Sequence, residues 1–196
     1  MVSILLSYAT SEGQTAKVAG RMADGLRARG HGVDLLELPA PLDPDDLGPY
    51  DGVIVGGSIH VGRHQPALAD FVREHRDGLD ARPSAFVQVC LSAAADDPDR
   101  RAEATRYVDE FREATGWEPD LVGVFGGALR FSEYGFVKRA LMKRIAADAT
   151  GDTDTSRDYE YTDWDAVGAF VDEFAALVEA ASVPSGGEPA PAGAAR

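Results

Sequence analysis

Two hydrophobic periods take turns along this chain. Residues 2–8 (VSILLSY) form a short apolar run, long enough for a strand and too short for a membrane span. Val18, Met22 and Leu26 then recur four residues apart, the mark of one buried helical face. Gly30 and Gly32 frame a turn, a second strand starts at Val33, and residues 39–49 are a Pro/Asp-rich loop. Residues 52–57 (GVIVGG) read as a strand buried on both faces. Pro66 opens a helix with Leu68, Phe71, Val72, His75 and Leu79 inward, and residues 84–91 give a fourth strand. Residues 98–115 predict a helix with Ala104, Tyr107, Val108 and Phe111 on one face, and residues 121–125 a fifth strand. The last helix starts in Thr162-Asp163-Trp164-Asp165, read as a hydroxyl cap with an acid three residues on. Val167, Phe170, Val171, Phe174 and Val178 follow at helical spacing.

Strands alternating with helices predict an α/β fold: a doubly wound, five-stranded parallel sheet with helices on both faces. Ligands of such sheets sit outside the carboxyl ends of the strands, where the segments 9–15, 57–64 and 91–96 meet. The fifth strand and last helix are separated by residues 126–162, far beyond the usual βα loop of about 2–6 residues. The expected organisation is one domain over residues 1–181 containing that insertion. Residues 182–196, mostly Pro, Gly, Ala and Ser, are expected to be a disordered tail.

The first strand runs into Ala9-Thr10-Ser11-Glu12-Gly13-Gln14-Thr15 and then a helix. A helix N-terminus offers unpaired N–H groups and the positive end of its dipole, so it suits an anion. Thr10, Ser11 and Thr15 add hydroxyls, and Gly13 allows close backbone approach. No Lys stands in the turn and no G-x-G-x-x-G follows it, so neither a Walker loop nor a dinucleotide fingerprint is present. A phosphate monoester held by neutral donors and an ordinary capped βα turn both fit.

Composition narrows the classes. A chain of 196 residues with 44% hydrophobic content has enough apolar material for a folded core. A net charge of −14 argues against nucleic acid, whose phosphates need a basic surface. The only lysines are Lys17, Lys138 and Lys143. Such acidity suits a salt-rich cytoplasm, where self-repulsion is screened, or an ordinary acidic protein of a GC-rich genome. Cys90 is the single cysteine, so no internal disulfide forms; it reads as a buried, inert thiol. No signal peptide or long apolar stretch is seen, so the expected location is cytoplasmic, with any membrane contact peripheral at the inner face.

The second loop, Gly56-Gly57-Ser58-Ile59-His60-Val61-Gly62-Arg63-His64, has glycines that let a flat ring approach and N–H groups to face its polar edge. Ile59 also reads as core, and His60 and His64 as solvated turn residues. No metal site is expected, since no Cys or acid in that loop joins the histidines. Neither this loop nor Leu91-Ser92-Ala93-Ala94 has Trp or Tyr, which leaves one face of a bound ring open to substrate. In the insertion, residues 136–145 (FVKRALMKRI) hold two of the three lysines. A basic amphipathic helix with aromatics suits a membrane surface, and a surface helix packed on the sheet fits too.

Tyr8, Thr10, Gly13 and Thr15 resemble the phosphate loop of flavodoxins, which implies FMN. The whole run of motifs resembles the bacterial menaquinone-dependent protoporphyrinogen IX dehydrogenases: SEGQT (11–15), GGSIHVG (56–62), FVREH (71–75), RPSAF (82–86), GGALRF (126–131), FVKRALMKRI (136–145) and GDTDTSRDYEYTDW (151–164), in order. The resemblance implies a flavodoxin-like fold in which FMN oxidises a porphyrinogen and passes electrons to menaquinone or another quinone. It places FMN on Thr10, Ser11, Glu12, Gly13, Gln14 and Thr15, with the ring along Ser58, Ile59, His60, Val61 and Gly62 and along Leu91, Ser92 and Ala93. Arg130, Lys138, Arg139, Lys143 and Arg144 are candidates for substrate carboxylates, and His60 for a proton acceptor. His60 and Arg130 are the catalytic candidates. An electron-carrying flavodoxin and an NAD(P)H:quinone reductase on the same fold stay open as alternatives.

Overall fold

The computed structural model describes residues 1–60, 62–149, 151 and 154–183, without the side chains of residues 44, 45, 137, 138, 148 and 149. Val61, residues 184–196 of the expected tail and the Lys138 side chain therefore lie outside the described residues.

Strands β1 (Ser3–Ala9), β2 (Gly32–Glu37), β3 (Gly52–His60), β5 (Ser84–Cys90) and β6 (Leu121–Gly126) pair in parallel in the order β2-β1-β3-β5-β6. Short β4 (Arg63–His64) returns antiparallel along the end of β3. The order reverses at β1, so the crevice of this doubly wound sheet lies at the carboxyl ends of β1 and β3.

Both faces of β1 are covered, which is why it reads as a continuous apolar run. Ile4 and Leu6 point into one core with α1 (Gln14–Ala28) and α6 (Trp164–Ser182), meeting Val18, Met22, Phe170 and Phe174. Leu5 points the other way, toward α2 (Pro66–Glu74), α3 (Arg76–Asp80) and α4 (Pro98–Thr115), and joins Leu68, Phe71, Phe86, Val108 and Trp117. The helix opened by Pro66 is broken at His75, whose ring is nevertheless buried as expected, with Nδ1 against Phe71 O and Nε2 against Leu42 O.

The insertion has structure of its own. It comprises β7 (Ala128–Leu129), a short 3-10 turn (Phe131–Glu133), α5 (Phe136–Ala149) and β8 (Tyr159–Glu160), which pairs antiparallel with β7. A separate small core of Leu129, Phe131, Tyr134 and Ala146 binds these pieces, with Met142, Tyr159 and Leu91 against it. A Cβ on Gly126 would sit 2.3 Å from the Tyr161 carbonyl oxygen, so only glycine lets the end of β6 pass the returning chain.

The cap of α6 differs from the sequence reading. Asp163 is the N-cap, and its carboxylate accepts from Asp165 N and Ala166 N. Thr162 stands one residue too early and its hydroxyl turns inward, donating to Gly126 O at 2.6 Å. A carboxylate next to the first turn satisfies the free N–H groups and the dipole together, so it displaces the hydroxyl.

Candidate functional site

At the end of β1 the chain turns through residues 10–13, and Gly13 takes the N-cap position of α1 with φ 81, a conformation that favours glycine. Thr10 Oγ1 accepts from Gly13 N at 3.0 Å and fixes the turn. No side chain caps α1 and its first turn has no acid, so the N–H groups and positive dipole end stay available. Beside them Thr15 is 1% exposed, and its Oγ1 has no hydrogen-bond partner among the described residues. A buried hydroxyl without a partner is costly, and at an open helix N-terminus it is set to meet an anion.

The second wall is not the loop read from sequence but a hairpin: β3 continues through His60 and returns as β4, with Gly62 at φ 76 in the turn. Gln65 ties this wall to the first, its Nε2 donating to Ser11 Oγ at 3.1 Å and Ser58 Oγ at 2.7 Å. His64 is no solvated turn residue. Its ring packs 5.4 Å from Phe86 and 4.8 Å from Phe111, and burial lowers its pKa to about 4, so it is neutral at pH 7.

Residues 91–94 form a 3-10 turn after β5, the third wall. There Glu103 of α4 accepts from Ser92 Oγ at 2.9 Å, Tyr107 Oη at 3.1 Å and Arg100 Nη1 at 3.3 Å. Burial pushes the Glu103 carboxyl up, but the hydrogen bonds from Ser92, Tyr107 and Arg100 outweigh it and hold it below the usual range.

The insertion closes the fourth side. Gln14 Nε2 donates to Thr162 Oγ1 at 2.8 Å, and Arg130 Nη2 donates to Gln14 Oε1 at 3.3 Å. The Tyr134 hydroxyl donates to the Glu12 carboxylate and accepts from Arg130 N. Burial, then that bond to Glu12, raises the Tyr134 pKa, so it stays a neutral donor.

These walls enclose a cavity of about 470 Å³, within the range of small-molecule sites. Thr10, Ser11, Glu12, Gln14, Thr15, Ser58, Ile59, His60, Gly62, Leu91 and Ser92 line it. Gly13 and Ala93 shape the adjoining turns without lining it, and Val61 lies outside the described residues. Leu141, Met142 and Ile145 of α5 add an apolar edge. Arg130 and Arg139 stand apart from the cavity lining; Arg139 donates to Phe131 O at 2.9 Å.

Sequence reading missed Arg100, Glu103 and Tyr107, which line the cavity from one face of α4. The absence of an aromatic from the two ring loops therefore does not leave the site without one: Tyr107 arrives from a helix. Its spacing from Ala104, Val108 and Phe111 suggested core, but its hydroxyl sits at the border of that stripe and reaches Glu103. The signal available was the i, i+3, i+7 run of polar residues beside the apolar face.

No described helix is long and apolar enough to cross a membrane, and among the described residues no group of three His, Cys, Asp or Glu could hold a metal. The uncapped α1 N-terminus, the orphaned Thr15 hydroxyl and the adjoining, mostly apolar cavity together fit FMN, a phosphate monoester joined to a flat ring.

Comparison with known proteins agrees. The flavodoxin domain family matches residues 5–156. A protoporphyrinogen IX dehydrogenase (quinone) of Escherichia coli strain K12 is 34% identical over 176 residues, covering 89% of this chain and 96% of that one. Its namesake from Leishmania major is 36% identical over 177 residues, covering 88% of this chain and 74% of its own. Among solved structures, a flavodoxin from Streptococcus pneumoniae superposes with a TM-score of 0.54 at 19% identity, over 91% of this chain and 98% of its own.

Proposed function

The chain belongs to the flavodoxin domain family and, within it, to the protoporphyrinogen IX dehydrogenase (quinone) family, and from that we propose an FMN enzyme that oxidises protoporphyrinogen IX and hands the electrons to a quinone. The observation that carries the reading on this chain is the insertion's contact with the cofactor end. Its α5 sets Leu141, Met142 and Ile145 on the cavity while Tyr134 and Arg130 reach Glu12 and Gln14 of the first loop. A simple electron carrier needs no second apolar wall beside the ring position.

When bound, FMN supplies the electron-accepting and electron-donating chemistry; the chain holds it and its partners. In this reading the N–H groups of the α1 first turn, with Thr10, Ser11 and Thr15, hold the phosphate. The segments Ser58 to Gly62 and Leu91 to Ala93 flank the ring. Tyr107 and the apolar edge of α5 bound the space left for the macrocycle. His60, exposed at the rim, is the group assigned to take protons. Glu103 suits that task less, because its hydrogen bonds lower its basicity.

The acceptor we assign is menaquinone, reached at the inner face of the membrane. Phe136 and Leu141 are 89% and 55% exposed on α5, and Lys143 and Arg144 are exposed beside them, the pairing of apolar and basic groups that suits an anionic lipid surface. The test is turnover by the FMN-loaded protein of protoporphyrinogen with menaquinone in anionic vesicles. Flavin reduction without menaquinone-dependent reoxidation would remove the quinone from this assignment.

A further inference from the structure

The turn read as the phosphate site carries a group that an anion site does not want. Glu12 is the only acid in the segment 9–15, it stands directly before the Gly13 N-cap, and it lines the cavity beside Thr10, Ser11 and Thr15. Little positive charge opposes it. The segment holds no Lys or Arg, and Lys17, further along α1, is paired with Glu160. The positive end of a helix dipole amounts to roughly half an elementary charge. A full carboxylate charge turned toward a phosphate monoester would outweigh that attraction.

The insertion supplies a donor for that carboxylate. Tyr134 follows the 3-10 turn Phe131–Glu133, and its hydroxyl donates to Glu12 across 122 positions of sequence. The Tyr134 ring is buried in the insertion's own small core, edge-on to Phe131 at 5.8 Å. Arg130 N donates to the same hydroxyl oxygen at 3.2 Å, so the phenol is fixed from two sides and polarised as a donor. Burial raises its pKa, so the proton it donates is kept at neutral pH. Tyr134 does not itself line the cavity; it reaches the site through Glu12.

We propose that Tyr134 is a positioning residue for the cofactor: it draws the Glu12 carboxylate toward the insertion and so keeps its charge off the phosphate held by the α1 N-terminus and Thr15. The assignment rests on the FMN placement proposed above. It gives the insertion a second task beside the apolar edge that α5 lends the cavity, and it ties cofactor affinity to a residue outside the cofactor's own loop.

The test is fluorescence titration of the apoprotein with FMN, on wild type, Tyr134→Phe, Glu12→Gln and the double variant. Tyr134→Phe keeps the ring in its core and loses only the hydroxyl. It is expected to raise the FMN Kd about tenfold, the size of one hydrogen bond to a charged group. Glu12→Gln keeps the backbone N–H groups of the turn and an acceptor for Tyr134, and is expected to bind FMN no more weakly than wild type. In that background, adding Tyr134→Phe should change the Kd by less than about twofold. Riboflavin, the same ring without the phosphate, should show one Kd for all four proteins. An unchanged FMN Kd in Tyr134→Phe overturns the assignment, and so does a loss that persists in the double variant or extends to riboflavin. An FMN Kd raised by Glu12→Gln alone overturns it without any Tyr134 variant, because the carboxylate would then be a ligand. Wild-type protein that binds riboflavin as tightly as FMN refutes the phosphate placement and this assignment with it.

Discussion

The side-chain amide of Gln14, in the first turn of α1, donates to the hydroxyl of Thr162 at 2.8 Å across 148 positions of sequence. Both residues are buried, and the Thr162 hydroxyl in turn donates a hydrogen bond to Gly126 O at 2.6 Å. Arg130 completes the cluster on Gln14 Oε1. The loop read as the phosphate site and both ends of the insertion are thus one hydrogen-bonded unit, joined where β6 leaves the sheet and where α6 begins.

Thr162→Val keeps the shape and removes the hydroxyl. It leaves the Gln14 amide and the Gly126 carbonyl without that partner, at a cost of about 1–3 kcal/mol for a buried unsatisfied group. Urea unfolding of the apoprotein measures this. A loss under about 0.5 kcal/mol, the size of a neutral surface change, would mean that the two segments are not joined through Thr162.

Thr15→Ala removes a buried hydroxyl that has no partner within the described protein. The apoprotein therefore gains slightly or stays unchanged, while FMN affinity falls by roughly 10- to 100-fold, as expected for a hydrogen bond of about 1.5–3 kcal/mol to a charged group. Fluorescence titration of FMN beside apoprotein melting separates the two effects. An unchanged Kd would remove Thr15 from the phosphate site.

His64 gives a pH signature. Its pKa is about 4 in the folded protein because it is buried between Phe86 and Phe111, against about 6.5 in the unfolded chain. Between those values the unfolded state binds the extra proton, so stability is full above pH 6.5 and falls as the pH drops toward 4. The loss is on the order of 3 kcal/mol across that window. His64→Phe should flatten that part of the stability curve relative to wild type, with urea midpoints taken at pH 7, 5.5 and 4.5. Parallel curves for the two proteins would place the ring in solvent.

Lys143→Gln with Arg144→Gln addresses the membrane. Each basic residue near an anionic surface contributes about 1 kcal/mol, so the pair should weaken vesicle binding by roughly 30-fold at low salt. At 1 M salt the screening length is about 3 Å and the difference should vanish. Co-sedimentation with anionic vesicles reads both conditions. Equal partitioning of variant and wild type at low salt would return α5 to the role of an ordinary surface helix.

The parallel sheet was legible because β1, β3 and β5 are buried on both faces and read as short apolar runs, while Val18, Met22 and Leu26 and the Val167–Val178 series keep helical spacing. FMN and membership of the protoporphyrinogen IX dehydrogenase (quinone) family were legible from motif order, above all GGALRF and the YTDW run. Periodicity could not place Arg100, Glu103 and Tyr107, because a helix border serves core and cavity at once and only tertiary packing decides which. It also misjudged His64, since a two-residue strand at the end of β3 turns that ring inward. Thr162 read as a cap because its hydroxyl precedes a helix; its actual partners are 36 and 148 positions away and leave no local trace.

The central claim is that this flavoprotein takes electrons from a porphyrinogen rather than from a nicotinamide or an electron-transfer protein. The most direct measurement is anaerobic bleaching of the visible flavin absorption of the FMN-loaded protein, with protoporphyrinogen IX, NADPH and reduced ferredoxin offered separately at equal reducing equivalents. Rapid bleaching by protoporphyrinogen, with porphyrin fluorescence rising in step and recovery on adding quinone, is the predicted result. Bleaching by NADPH or ferredoxin while protoporphyrinogen leaves the flavin oxidised would contradict the account.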